Sequence, residues 1–329
     1  CTADLDRLED AFLKLIDTQP ALRLRIEDGK QCFLPKEETD FKIEREDLSD
    51  LEPDAQRETI DTFEKAVREE ESASNTRSLF RMKAFQVSED AAVLCVAIDL
   101  IALDAGSTSR FFELAAELYR NPEKSVYENP YTFRDYVLDM DKIRETELYK
   151  EDEAYWQEKI RDFSGPANLR MQMLPSEINK PHFERLDFGL SASEVNDLQR
   201  EAEACGVTLS TIIMAFYARV LAYESGKKSC GLNVTVFNRY SGGNEEDSLL
   251  GEFTSTILVD AGLDRGKGCR KSLEELQEQV YTGLAHRLYS GIRQARDYKK
   301  AHHLPGNAAS MPYVFTSTLG SSSSPPAEI

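Results

Sequence analysis

The sequence has one tryptophan, four histidines and six cysteines in 329 residues. The cysteines (Cys1, Cys32, Cys95, Cys205, Cys230 and Cys269) are scattered, with no C-x-x-C pair and no histidine beside them. That leaves no zinc spacing. They are too few for a disulfide scaffold, and the start Cys1-Thr2-Ala3-Asp4-Leu5 carries no apolar signal core. A reducing cytoplasm is therefore the expected compartment. No run of about 18 apolar residues occurs, which argues against a membrane-spanning helix. Basic residues are in deficit, with 40 Lys and Arg against 59 Asp and Glu and a net charge of −19. Nucleic-acid binding needs basic surface to neutralise phosphates, and anionic lipid repels an acidic chain, so neither partner is expected. Dinucleotide and P-loop glycine motifs are absent, as is the G-x-S-x-G nucleophile elbow. The initiator methionine is absent too, and the chain is expected to begin inside a longer polypeptide.

What is present is core material, with 41% hydrophobic and 30% charged residues. Leu5, Leu8, Phe12 and Leu15 recur at helical steps. Leu22 to Ile26 alternates as a strand, Asp28-Gly29 marks a turn, and Gln31 to Pro35 returns. A helix is predicted from Asp54 to Glu70, ending in the solvated run Glu69-Glu70-Glu71. Ser78 to Val87 and Ala91 to Leu100 read as two strands. The second is apolar almost throughout and is expected to be covered on both faces. A helix carrying Phe111, Phe112, Leu114, Ala115 and Leu118 follows, then a broken helical stretch from Thr132 to Asp162. The polar stretch Pro175 to Pro181 reads as a connection.

Beyond it the pattern restarts. Phe183 to Phe188 alternates as a strand, and Ser191 with Glu194 forms a capping box for a helix to Cys205. Thr208 to Ser225 reads as a central apolar helix, Gly231 to Phe237 and Ser255 to Val259 as strands, and Ser272 to His302 as one helix or two. Gly242-Gly243 is a turn, Tyr313 to Ser317 a short strand, and Ser321 to Pro326 a loop or linker. Two α+β halves of similar size result, 1–178 and 179–329. The irregular alternation does not fit a doubly wound sheet.

Asp99 and Asp104 lie between a strand and a helix, where scaffolds often present functional groups. In a chain this acidic the spacing alone means little. Asp104 or Ser107 could simply cap the helix, with Asp99 structural. The wider segment, Asp99-Leu-Ile-Ala-Leu-Asp104-Ala-Gly-Ser107, resembles the DxxxxD signature of heterocyclization domains of nonribosomal peptide synthetases. Their condensation relatives carry HHxxxDG there. Leu100 falls on the second, catalytic histidine of that motif, and leucine cannot act as a base. Six further stretches follow in the family's order. Asp17-Thr-Gln-Pro-Ala-Leu-Arg23 is similar to RHPMLR, without its Arg-His. Thr208 to Gly226 resembles TPxxxLxxxxxxVLxxWS, with Tyr223-Glu224 in place of xW. Leu232-Asn-Val-Thr-Val-Phe-Asn-Arg239 matches LNxTxFNR, and Gly251-Glu-Phe-Thr-Ser255 is similar to GDFTxL. His286-Arg287 with Ser290-Gly291 resembles DHRxxSG, and Met311 to Gly320 resembles PVVFTSxLG.

This resemblance implies two chloramphenicol-acetyltransferase-like lobes in a V-shaped pseudo-dimer, an α/β sandwich in each, incomplete at both ends. It implies substrates delivered on phosphopantetheine arms by upstream and downstream peptidyl carrier proteins, with an adenylation domain adjacent. The domain itself would bind no cofactor and no metal. The reaction implied is amide formation between an acyl thioester and carrier-bound Cys, Ser or Thr, then cyclodehydration to thiazoline or oxazoline. The residues carried onto the site are Thr316, Asp104, Asp99 and Asn238. Thr316 matches the family's cyclodehydration threonine, whose aspartate partner would lie beyond Ile329; the plain alternative is a threonine chosen for its strand preference. Asn238 would orient substrate, or else ends its strand in a turn. Asp104 is expected to hold Arg23 or Arg239, because a buried aspartate needs a partner. His286, His302 and His303 have suitable chemistry but sit in or at the end of helices. Two other readings remain: a condensation-only domain, and a non-catalytic module that docks partners.

Overall fold

The apolar steps from Leu5 become helix α1 (Leu5–Thr18) in the computed structural model, capped by the Asp4 side chain. The structure describes residues 4–39, 41–69, 79–126, 131–170, 173, 177–179, 183–239, 249–262, 266, 268–306 and 308–319. Outside them lie Glu70 and Glu71, most of Pro175 to Pro181, Gly242-Gly243, the start at Cys1 and the tail Ser321 to Pro326. The described residues of Cys1–Asp139 and Arg239–Phe253 form one compact unit, and those of Met140–Asn238 and Thr254–Ser321 form a second.

In the first unit, strands β1 (Leu24–Glu27) and β2 (Lys30–Phe33) pair as an antiparallel hairpin. Its turn residues Asp28 and Gly29 take φ of 49° and 74°, the left-handed geometry that a two-residue hairpin needs. Strand β3 (Ile43–Asp47) and helix α2 (Pro53–Glu69) lead to β4 (Phe80–Ser88) and β5 (Ala91–Ile98). The sheet order is β3-β4-β5. Helix α3 (Ala105–Arg120) follows. Phe111 of α3 stacks on Phe12 of α1 at 5.3 Å and meets Phe80 of β4 edge-on at 5.0 Å. All three rings are buried.

The chain passes to the second unit within helix α4 (Phe133–Ile143). Helices α5 (Glu147–Arg161), α6 (Ala192–Cys205) and α7 (Leu209–Glu224) precede strands β6 (Cys230–Phe237) and β7 (Thr254–Ala261). Helices α8 (Cys269–Ala285) and α9 (Gly291–Ala301) and the short strand β8 (Val314–Phe315) complete it. The capping box Ser191/Glu194 opens α6 as the sequence indicates, and Gly206 closes it in the left-handed conformation. The second sheet runs β7-β6-β8, with β6 antiparallel to β7 and parallel to β8. An unpaired strand edge invites unwanted pairing, and side chains occupy that of β7. Gln294 of α9 accepts from Leu258 N at 2.9 Å, and Gln279 of α8 donates to Asp260 O at 3.2 Å.

Gly291 presses on the same edge. A Cβ there would sit 2.3 Å from the Thr256 carbonyl oxygen and 2.6 Å from its carbon. Backbone cannot swing aside as a side chain does, so Gly291→Ala is expected to destabilise the fold by about 1–3 kcal/mol. Urea unfolding checks this; an unchanged midpoint would mean that α9 does not lie against β7.

The structure corrects four expectations. The division does not fall near residue 178. Trp156, Ile160 and Phe163 are buried with Leu232 and Leu258 in the second unit's core, while Leu250 joins the first unit's core. β5 is not covered on both faces, for it is an edge strand and Val93 is 39% exposed. β4 takes the central, buried place instead. Phe183 to Phe188 forms no strand; its alternation is real, but its backbone finds no ladder partner among the described residues. Helix α7 is buried on one face only, for Phe216, Val220 and Tyr223 are all exposed. Among the described residues no single helix is long and apolar enough to cross a membrane.

Candidate functional site

The DxxxxD segment belongs to the first unit, where β5 hands over to α3. Asp99 lies just past β5. Its N–H donates to Leu79 O at 2.8 Å, and its carboxylate accepts from Ile101 N at 3.0 Å. Those bonds turn the chain, and Leu100 ends up 71% exposed. Leucine has no ionisable group, so this exposed position holds no base. Leu100→His is expected to change stability by no more than about 0.5 kcal/mol, the usual range for a surface site. A larger loss in urea unfolding would contradict this placement.

Asp104 is buried and is the N-cap of α3. One carboxylate oxygen accepts from Ser107 N at 2.6 Å and the other from Phe253 N at 3.1 Å. Ser107 Oγ lies 2.8 Å from Gly251 O and 3.1 Å from a guanidinium nitrogen of Arg239. Arg239 also donates to Leu249 O at 2.7 Å, with its guanidinium carbon 4.1 Å from the Phe253 ring centre. Within this unit Asp104 and Ser107 thus meet Arg239 and the Gly251–Phe253 turn. The expected arginine partner is corrected in its detail: Arg239 reaches Ser107, while the carboxylate is taken up by backbone amides. Arg23 lies elsewhere, donating to the carbonyls of Ile16, Asp17 and Leu34 at the end of α1. With both oxygens accepting, Asp104 is a cap and a pin for the Gly251–Phe253 turn, the plainer of its two sequence readings.

The threonine site belongs to the second unit. Thr316 follows β8 directly and is exposed. Its hydroxyl lies 2.7 Å from that of Thr235 on the central strand β6. Ser317, the next residue, bonds Ser210 of α7 at 2.6 Å. Asn238 follows β6 and is 8% exposed. Sequence reasoning missed Thr235, Ser210, Ser107 and Phe253 as partners. The LNxTxFNR match contains Thr235, so that signal was present but unassigned.

The remaining titratable candidates serve packing. Asp152 accepts from Leu288 N and lies 2.9 Å from His286 Nδ1, while the imidazole stacks on Tyr155 at 4.1 Å. This ties α5 to the α8–α9 turn. His302 Nε2 lies 3.0 Å from Ile160 O, its ring beside Tyr298. His303 sits at φ 52° just past α9. Burial pushes the Cys230 thiol up to about 11, so it stays protonated and is no nucleophile at neutral pH. No cluster of metal-ligating side chains occurs among the described residues.

Fold and sites together define a condensation-type domain. A profile of the condensation domain matches residues 2–294, and the chain belongs to that family. It is 30% identical to bacitracin synthase 1 of Bacillus licheniformis over 96% of this chain and 6% of that protein. Phenyloxazoline synthase MbtB of Mycolicibacterium paratuberculosis is 28% identical over 96% of this chain and 27% of that protein. The cyclization-docking bidomain of EpoB from Sorangium cellulosum superposes with a TM-score of 0.83 at 26% identity, over 97% of this chain and 64% of that one. The chain therefore spans only part of the proteins it matches.

Proposed function

We propose that the chain is part of a heterocyclization domain of a nonribosomal peptide synthetase. An amine on a carrier-bound Cys, Ser or Thr attacks the upstream acyl thioester, an amide forms, and the phosphopantetheine thiol leaves. The side-chain thiol or hydroxyl then adds to the amide carbonyl. The resulting hydroxyl is protonated and departs as water, the ring nitrogen loses its proton, and a thiazoline or oxazoline remains. The domain holds no cofactor of its own. Its partners are upstream and downstream carrier proteins and an adenylation domain, in the cytoplasm.

Thr316 carries the reading. It presents an exposed hydroxyl fixed by Thr235, suited to shuttle a proton to the departing oxygen. Asp99 and Asp104 set the chain around Leu100, and Asn238 orients the substrate. Support comes from one relative named for making a phenyloxazoline and a solved neighbour that is a cyclization domain. Condensation without ring closure is the second reading, favoured by the structural role of Asp104, which makes the DxxxxD segment no witness to cyclization. The test uses the natural polypeptide that contains this chain. A linear N-acyl-cysteinyl thioester is loaded on the downstream carrier, bypassing amide formation. Ring appearance that depends on the domain supports heterocyclization; a linear thioester that persists contradicts it.

A further inference from the structure

β6 is the middle strand of its sheet, yet two polar residues sit side by side on one of its faces. Leu232, Val234 and Val236 are buried on one face, and Asn233 and Thr235 alternate onto the other. Asn233 carries a buried amide oxygen with no hydrogen-bond partner among the described residues. Thr235 stands opposite Thr256 of β7 in the ladder register, and its hydroxyl reaches Thr316 on its other side. Three threonines therefore cross the sheet in one row. Strand preference explains each one singly, and hydroxyl pairs across a ladder stabilise a sheet; this pair, 2.7 Å apart, ends on the exposed hydroxyl of Thr316.

The backbone around Thr316 is already fixed. Val314 and Phe315 pair with Asn233 and Val234, Asn233 N donates to Tyr313 O at 2.9 Å, and Ser317 is tied to Ser210. What remains free at Thr316 is rotation about χ1, which sweeps its hydroxyl between staggered positions. Both threonines are β-branched and take few χ1 positions; packing narrows the choice further for half-buried Thr235 on the central strand than for exposed Thr316. We infer that Thr235 is a positioning residue for ring closure: its hydroxyl donates to Thr316 Oγ1, locking the Thr316 rotamer and leaving the Thr316 proton aimed outward. An O–H that accepts one hydrogen bond is also a better donor of the next. This inference rests on the heterocyclization reading and adds to it a residue that acts only through Thr316.

Thr235→Val keeps the shape and the β-branch and removes only the hydroxyl. In the natural polypeptide with both carriers loaded, amide formation should run at the normal rate. Conversion of amide to ring should slow by about tenfold, the size of one well-placed hydrogen bond. Thr235→Ser restores the hydroxyl and should restore the ring step, a rescue that a purely structural role would not give. Ring formation by Thr235→Val at the wild-type rate would overturn the inference, as would a Thr235→Ser variant as slow as the valine variant. The wild-type control separates the two levels. If wild type forms no ring, the heterocyclization reading falls and the inference with it; if wild type forms the ring and valine is silent, the inference alone falls.

Discussion

Thr316→Ala should leave the carrier-bound linear amide and lose the ring. The hydroxyl is exposed and lies just past a short strand, so its removal leaves the core untouched. Whatever the variant loses is therefore chemistry rather than folding. Hydroxide is a poor leaving group until it is protonated to water, and a placed proton donor typically accelerates such a step by about 10²–10⁴-fold. Ring formation is expected to fall by at least about a hundredfold, while amide formation keeps its rate. Thr316→Ser, with the hydroxyl retained, should keep most of the ring-forming rate. Product mass over time reads both steps in one reaction. A Thr316→Ala variant that makes ring at the wild-type rate would remove Thr316 from the mechanism.

Asp104→Ala should destabilise the first unit. Asp104 is 2% exposed, and its carboxylate accepts from the backbone amides of Ser107 and Phe253. Losing the cap of α3 costs about 1 kcal/mol. Leaving the Phe253 N–H buried without an acceptor costs about 1–3 kcal/mol more. Destabilisation of about 2–4 kcal/mol is expected, measured by urea unfolding, with faster hydrogen exchange at Ser107 and Phe253. Asp104→Asn keeps an acceptor oxygen and should lose about half as much. A loss under about 0.5 kcal/mol for alanine would mean that the carboxylate does not pin the Gly251–Phe253 turn.

Local signals in the sequence translate well. The Ser191/Glu194 box, the Asp28-Gly29 turn and the apolar steps of α1 each act within a few residues, so neighbouring side chains settle them. Their outcomes match the structure. Signals that depend on distant partners translate poorly. Ala92 to Ile98 is apolar enough for a central strand, but strand order is a tertiary property, and β3 pairs with β4 rather than β5. The alternation from Phe183 cannot by itself supply a neighbouring strand. The boundary between units is equally non-local, because Leu250 and Trp156 each pack with residues far away in the chain. The motifs name Asp104 and Thr316, each in its own unit, but not the partners of either. Phe253 N is a backbone group that no motif names, and Thr235 meets Thr316 only because β8 runs parallel to β6.

Ring closure after amide formation shows in the mass of the carrier-bound product. The natural polypeptide is supplied with an acyl group on one carrier and cysteine on the next, and the downstream carrier is weighed intact. A product one water lighter than the linear amide is the expected result. A product that stops at the linear amide, with wild-type Thr316 in place, would contradict ring closure and leave condensation alone.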